Sequence, residues 1–124
     1  MVSLDESGDG IVTLRFLQHA GPGDERAYLD ALNVIGGRVG PFALMTVFGG
    51  EGKLSHEAER EQALWFKRTR DGLNERCRAL AIVRPAVTEK MAEVFRKLWT
   101  FPIAVDTDEA AARAFLLRHM ENPR

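Results

Sequence analysis

One cysteine, one tyrosine and three histidines in 124 residues leave little material for several common chemistries. The lone Cys77 excludes an intrachain disulfide and suits a reducing compartment. His19, His56 and His119 fall in separate predicted elements, with no i, i+4 partner and no cysteine pair nearby, so no metal is expected. Excess positive charge is lacking too. Seventeen Lys and Arg against eighteen Asp and Glu give a formal net charge of -1, and no field suited to a nucleic acid is expected. No run approaches the ~20 apolar residues that cross a bilayer. The start, Met1-Val2-Ser3-Leu4-Asp5-Glu6, has neither the basic region nor the apolar core of a targeting segment, which makes the cytoplasm the expected location. No linker, low-complexity tract or internal repeat divides residues 1–124, so one domain is expected.

What the chain does have is a rhythm. Apolar stretches at Ile11 to Phe16, Phe42 to Phe48, Ala79 to Val83 and Ile103 to Val105 are each followed by a segment with apolar residues at helical spacing, which predicts an α/β fold. Val2 to Leu4 reads as an edge strand, returned antiparallel by the turn Ser7-Gly8-Asp9-Gly10. Tyr28, Ala31, Leu32 and Ile35 form the stripe of a helix that Gly36-Gly37 ends. Phe42 to Phe48 is apolar almost without alternation, the pattern of a central strand covered on both faces. Ser55 caps a long helix with glutamates first and arginines last, whose inward face runs through Ala58, Gln62, Trp65, Phe66, Thr69, Leu73 and Cys77. Its continuity through Asp71-Gly72 is open. A helix from about Thr88 is expected to bury Met91, Val94, Phe95 and Leu98, with Trp99 at its exit. Asp106 and Glu109 read as a capping box opening the last helix, which carries Ala112, Phe115 and Leu116. The expected architecture is a mostly parallel sheet of about five strands with an N-terminal antiparallel hairpin and four helices.

This β-hairpin followed by α-β-α-β-α-β-α resembles the SpoIIAA-like group, the STAS-type fold of anti-sigma-factor antagonists, and in particular its small bacterial members. The likeness is carried most by Phe101-Pro102-Ile103-Ala104-Val105-Asp106-Thr107-Asp108-Glu109-Ala110-Ala111-Ala112-Arg113-Ala114-Phe115-Leu116, and less by Cys77-Arg78-Ala79-Leu80-Ala81-Ile82-Val83. These stretches encode strands and helices, so the resemblance bears on fold far more than on activity. It also implies a site. Signalling members carry a phosphorylated serine, followed by glycine, between the third strand and the second helix. In this chain that turn is Gly49-Gly50-Glu51-Gly52-Lys53-Leu54-Ser55, which makes Ser55 with Gly50, Gly52 and Lys53 the candidate regulatory loop. His56 follows Ser55 where the family has glycine, and Glu51, Glu57 and Glu59 would repel a phosphate. A helix cap is the simpler role of Ser55.

The same loop imitates two nucleotide motifs and satisfies neither. Val47 stands where a Walker A site needs its first glycine, and Leu54 replaces its hydroxyl. Gly50, Gly52 and Ser55 match the spacing of a dinucleotide fingerprint, yet the next strand ends in Arg84-Pro85 with no acid for a ribose. No cofactor is expected. The preferred reading is a non-catalytic regulatory or protein-interaction module, a homodimer or partner-bound, with Trp65, Phe66, Trp99 and Phe101 as its candidate interface. The alternative is a carrier of a small apolar ligand resembling Sec14-like domains, which calls for an enclosed apolar cavity. An enzyme using Asp106 or Asp108 would need a cleft joining them to Arg84 or His56.

Overall fold

In the computed structural model, which describes residues 1–17, 22–49 and 54–121, the strands β1 (Val2–Glu6), β2 (Ile11–Leu17), β3 (Phe42–Gly49), β4 (Cys77–Val83) and β5 (Ile103–Asp106) lie side by side in sequence order. The β1–β2 pair is antiparallel and every other pair is parallel. Gly10 closes the hairpin at φ +87, a backbone conformation that L side chains avoid. β3 is the central strand, and Phe42 to Val47 are all buried, as its unbroken apolar run requires.

The order of the strands dictates where the helices go. A chain that steps always in one direction across a parallel sheet, with right-handed crossovers, must put every crossover helix on the same face. α1 (Pro22–Gly36), α2 (His56–Arg76) and α3 (Glu89–Arg96) are those crossovers. They cover Val12, Leu14, Phe16, Leu44, Leu80, Ile82 and Ile103, with Tyr28, Leu32, Ile35, Trp65 and Leu73 from the helices and Phe95 at the margin. Among the described residues, that leaves the opposite face to α4 (Glu109–Glu121). α4 sets Ala112 and Leu116 against Ile11, Ala43, Met45, Val47, Ala79, Ala81 and Val83. Three alanines under one helix let its backbone come close, so a thin layer still excludes water.

Several elements depart from their sequence expectation. α2 runs unbroken from His56 to Arg76, because Gly72 is not a hinge but a gap: a Cβ there would stand 2.8 Å from Nη1 of Arg76, whose side chain lies across it. The α3 stripe is rotated, so that Ala92 is buried and Val94 is 56% exposed. Its apolar residues permit either phase, and in the one adopted Phe95 packs at the margin of the core. The Asp106 capping box does not form. Asp106 Oδ1 instead accepts from the backbone N–H groups of Thr107 at 2.7 Å and Asp108 at 2.9 Å, and Asp108 caps the helix through the Ala110 N–H at 3.1 Å. Glu109 is drawn away to Arg15 on β2, in a bidentate pair at 2.5 and 2.9 Å that holds its carboxyl below its ordinary value.

Candidate functional site

In parallel α/β sheets, loops at the carboxyl ends of the strands gather the groups that meet ligands and partners. Here that edge is formed by the ends of β3 and β4 and the starts of α1, α2 and α3. Ser55 sits on it as the N-cap of α2, its backbone extended at φ -64 and ψ 163 and its Oγ accepting from the Ala58 N–H at 3.2 Å. A second contact, invisible in the sequence, fixes the same residue. Glu25 on α1 accepts from the Ser55 N–H at 2.6 Å and from its hydroxyl at 2.9 Å, so one carboxylate clamps the start of α2 to the start of α1. Removing the hydroxyl by Ser55→Ala is expected to cost about 1 kcal/mol, a fall in Tm of roughly 4 °C, because the cap is lost while Glu25 keeps the backbone donor. A melting curve superimposable on that of the parent would show that the cap contributes nothing. Gly50, Gly52 and Lys53 of the candidate loop lie outside the described residues.

Behind the clamp, Tyr28 donates its hydroxyl proton to Gln62 Oε1 at 2.5 Å, and burial pushes the phenol up to about 12. Its ring packs against Phe16 at 4.9 Å and Phe48 at 6.1 Å. Over Phe48 lies a cationic group. The Arg84 guanidinium is 5.6 Å from the Phe48 ring centre and 6.0 Å from that of Phe95, spanning β3 and α3. No carboxylate among the described residues pairs with it. The Asp106 carboxylate, on the strand paired with β4, is committed elsewhere: its side chain closes its own turn, while the Asp106 peptide oxygen accepts from the Arg84 backbone N–H at 3.0 Å. His56 is exposed in the first turn of α2, His119 stacks edge-on against Phe115 at 4.6 Å at the far face, and His19 lies outside the described residues. Among the described residues no three His, Cys, Asp or Glu side chains gather as metal ligands. Cys77 is buried at the base of β4, and burial pushes its thiol up to about 12.

Two of the four candidate interface residues belong to the interior. Trp65 is 6% exposed beneath α1 and Phe101 is 7% exposed at the entry to β5, so neither can meet a partner. Phe66 and Trp99 are half-buried and serve mainly each other, edge to face at 5.0 Å, with Trp99 stacked on Phe101 at 5.5 Å and 16°. Aromatics suit cores and interfaces equally well, and here the gap between α2 and β5 claimed them. A cavity of about 420 Å³ lies between α1 and α2, at the amino end of the sheet. Glycine, asparagine, threonine and arginine make up most of its wall, not the aliphatic lining of an apolar carrier.

No family model matches the chain, and no curated protein is significantly similar to it in sequence. One solved structure decides the fold: an uncharacterized protein of the DUF3478 family from Shewanella loihica PV-4, described as having a SpoIIAA-like fold, superimposes with a TM-score of 0.59 at 13% identity over 94% of this chain and 92% of that one. The fold is SpoIIAA-like. At that identity the likeness carries the architecture alone. Within the SpoIIAA-like frame Ser55 lies between β3 and α2, as the N-cap of α2. Its neighbour there is the Glu25 carboxylate, at 2.9 Å from the hydroxyl. Among the described residues, no helix of this SpoIIAA-like chain is long and apolar enough to cross a membrane.

Proposed function

We propose that the chain is a non-catalytic regulatory or protein-interaction module whose partner docks on the carboxyl edge of the sheet, around Arg84. The observation that carries this reading is the Arg84 guanidinium, laid over Phe48 and Phe95 and facing no carboxylate among the described residues. Arginine supported on aromatic faces is pre-organised, loses little side-chain freedom on binding and offers a planar fork to a carboxylate or phosphate. Such residues dominate protein interfaces. The hydroxyl and carboxyl groups on the same edge support the reading by what they already do: Ser55, Thr88, Asp106 and Asp108 each satisfy backbone N–H groups at a helix start. The partner is therefore a protein presenting an acidic group to an arginine-aromatic platform.

The test is affinity purification of the tagged full chain from the cells that produce it, with Arg84→Glu and Arg84→Gln in parallel. The reading requires a discrete protein, or a second copy of the chain, retained by the parent, reduced by Arg84→Gln and lost with Arg84→Glu while both variants melt as the parent does. Retention unaffected by either substitution, or nothing retained at all, contradicts it. Should Arg84→Glu melt early, Arg84→Gln decides, since it removes the charge without introducing a carboxylate.

A further inference from the structure

The groove between α1 and α2 is built from donors that have no anion to meet. Arg68 and Arg76 are eight residues apart on α2, about 12 Å along its axis. Yet Arg68 donates from Nη2 to Asn33 Oδ1 at 2.9 Å and Arg76 donates from Nη2 to the Gly36 carbonyl at 2.9 Å, and those two acceptors are only three residues apart on α1, about 5 Å along it. The two arginine side chains therefore lean toward each other over the groove. Glycine makes this possible at both walls. A Cβ on Gly72 would strike the Arg76 guanidinium at 2.8 Å, and one on Gly36 would strike Thr69 Cγ2 at 2.7 Å and Trp65 Nε1 at 2.9 Å.

Both guanidiniums are thus held by neutral acceptors, and no residue lining the groove is acidic. Behind the groove, two buried donors have no partner among the described residues: Nε of Arg76, and Nε1 of Trp65, a residue more than nine-tenths buried whose ring nitrogen lies against Gly36. The bland account is that the arginines only answer the negative ends of α1 and α2, which both lie here. That accounts for about half a charge per helix, roughly one in all, against two guanidinium charges.

We propose that the groove lined by Gly36, Trp65, Arg68, Thr69, Gly72 and Arg76 is a binding site for a small multivalent oxyanion. A ligand with two acidic groups spans the two guanidiniums beside the Trp65 indole, whereas a single phosphate engages them only in part. The site lies at the end of the sheet opposite Arg84, so it stands or falls independently of the docking edge.

The test titrates the full chain with pyrophosphate and with inorganic phosphate, at ionic strength held constant with chloride, by calorimetry and by the indole N–H resonances in ¹⁵N-correlated NMR. The proposal requires one saturable pyrophosphate site, tighter than that for phosphate by roughly tenfold, and a shift of the Trp65 indole resonance with that of Trp99 unmoved. The paired substitution Arg68→Gln and Arg76→Gln should abolish saturation. Absence of a saturable site, saturation without movement of the Trp65 indole, or full affinity in the paired variant each overturns it. The indole readout is made on the unaltered chain, so it decides even where the paired variant fails to fold.

Discussion

Between pH 9 and pH 12 the protein is expected to lose its fold in a cooperative step, driven by two buried acids that cannot ionise in place. Burial pushes the Cys77 thiol from 9.0 up to about 12 and the Tyr28 phenol from 10.0 up to about 12. Below pH 9 both groups are neutral in the folded and the unfolded chain, and stability does not depend on them. Above it the unfolded chain sheds protons that the folded chain retains, so stability declines with rising pH until the folded values are reached. At 1.36 kcal/mol per unit the two together amount to roughly 5 kcal/mol or more, comparable with the whole stability of an ordinary domain. Tyr28 is the sole tyrosine, so tyrosinate absorbance reports one residue. It should rise together with the loss of helical circular dichroism, and a thiol reagent at neutral pH should reach Cys77 only in denaturant. Ionisation of Tyr28 near its ordinary value with the helical signal intact would contradict the burial described for it.

The second large effect is expected on the other side of the sheet. Leu116 is completely buried, and α4 is the sole cover described for the face made by Ala43, Met45, Ala79 and Ala81. Leu116→Ala leaves a cavity that alanines beneath it cannot fill, and a cost of about 3–5 kcal/mol follows from the lost transfer energy plus the void. Ala112→Gly, by contrast, should cost only about 1 kcal/mol, since it removes one methyl and some helical propensity. Urea unfolding of the two variants separates them. A cost below about 1 kcal/mol for Leu116→Ala would mean that the α4 layer is not a packed core.

The elements that sequence reading places well are those whose signal is local. β3 announces itself because a strand buried on both faces has no polar position, and Ser55 because a cap acts within three residues of itself. The Asp106-Thr107-Asp108-Glu109 turn is ambiguous for a local reason of its own: either aspartate can cap, and the choice falls to Asp108 once Arg15, ninety-four residues from Glu109 in the chain, takes that glutamate. Val94 illustrates a helix stripe broad enough to be rotated by a neighbour, and Gly72 a glycine kept for a close approach and not for a bend.

The candidate site was less legible, and the reason is that its contacts join distant parts of the chain. Ser55 is visible as a cap but its partner Glu25 lies thirty residues earlier, and the rings beneath Arg84 come from β3 and α3. Arg84-Pro85 looks like nothing more than the end of a strand. Trp65 and Phe101 drew attention because tryptophan and phenylalanine are common in interfaces, a preference that says nothing about which ones the core has already taken.

Photo-crosslinking from the docking edge tests the central claim most directly. A photoreactive residue in place of Ala86, exposed two residues beyond Arg84, should give a discrete covalent adduct in the producing cells, and the same residue in place of Val39, 84% exposed on the chain leading into β3, should not. Combining the Ala86 probe with Arg84→Glu should erase the adduct. Adducts equally strong from both positions, or one from Ala86 that persists without the arginine, would mean that the Arg84 platform is not where this domain meets its partner.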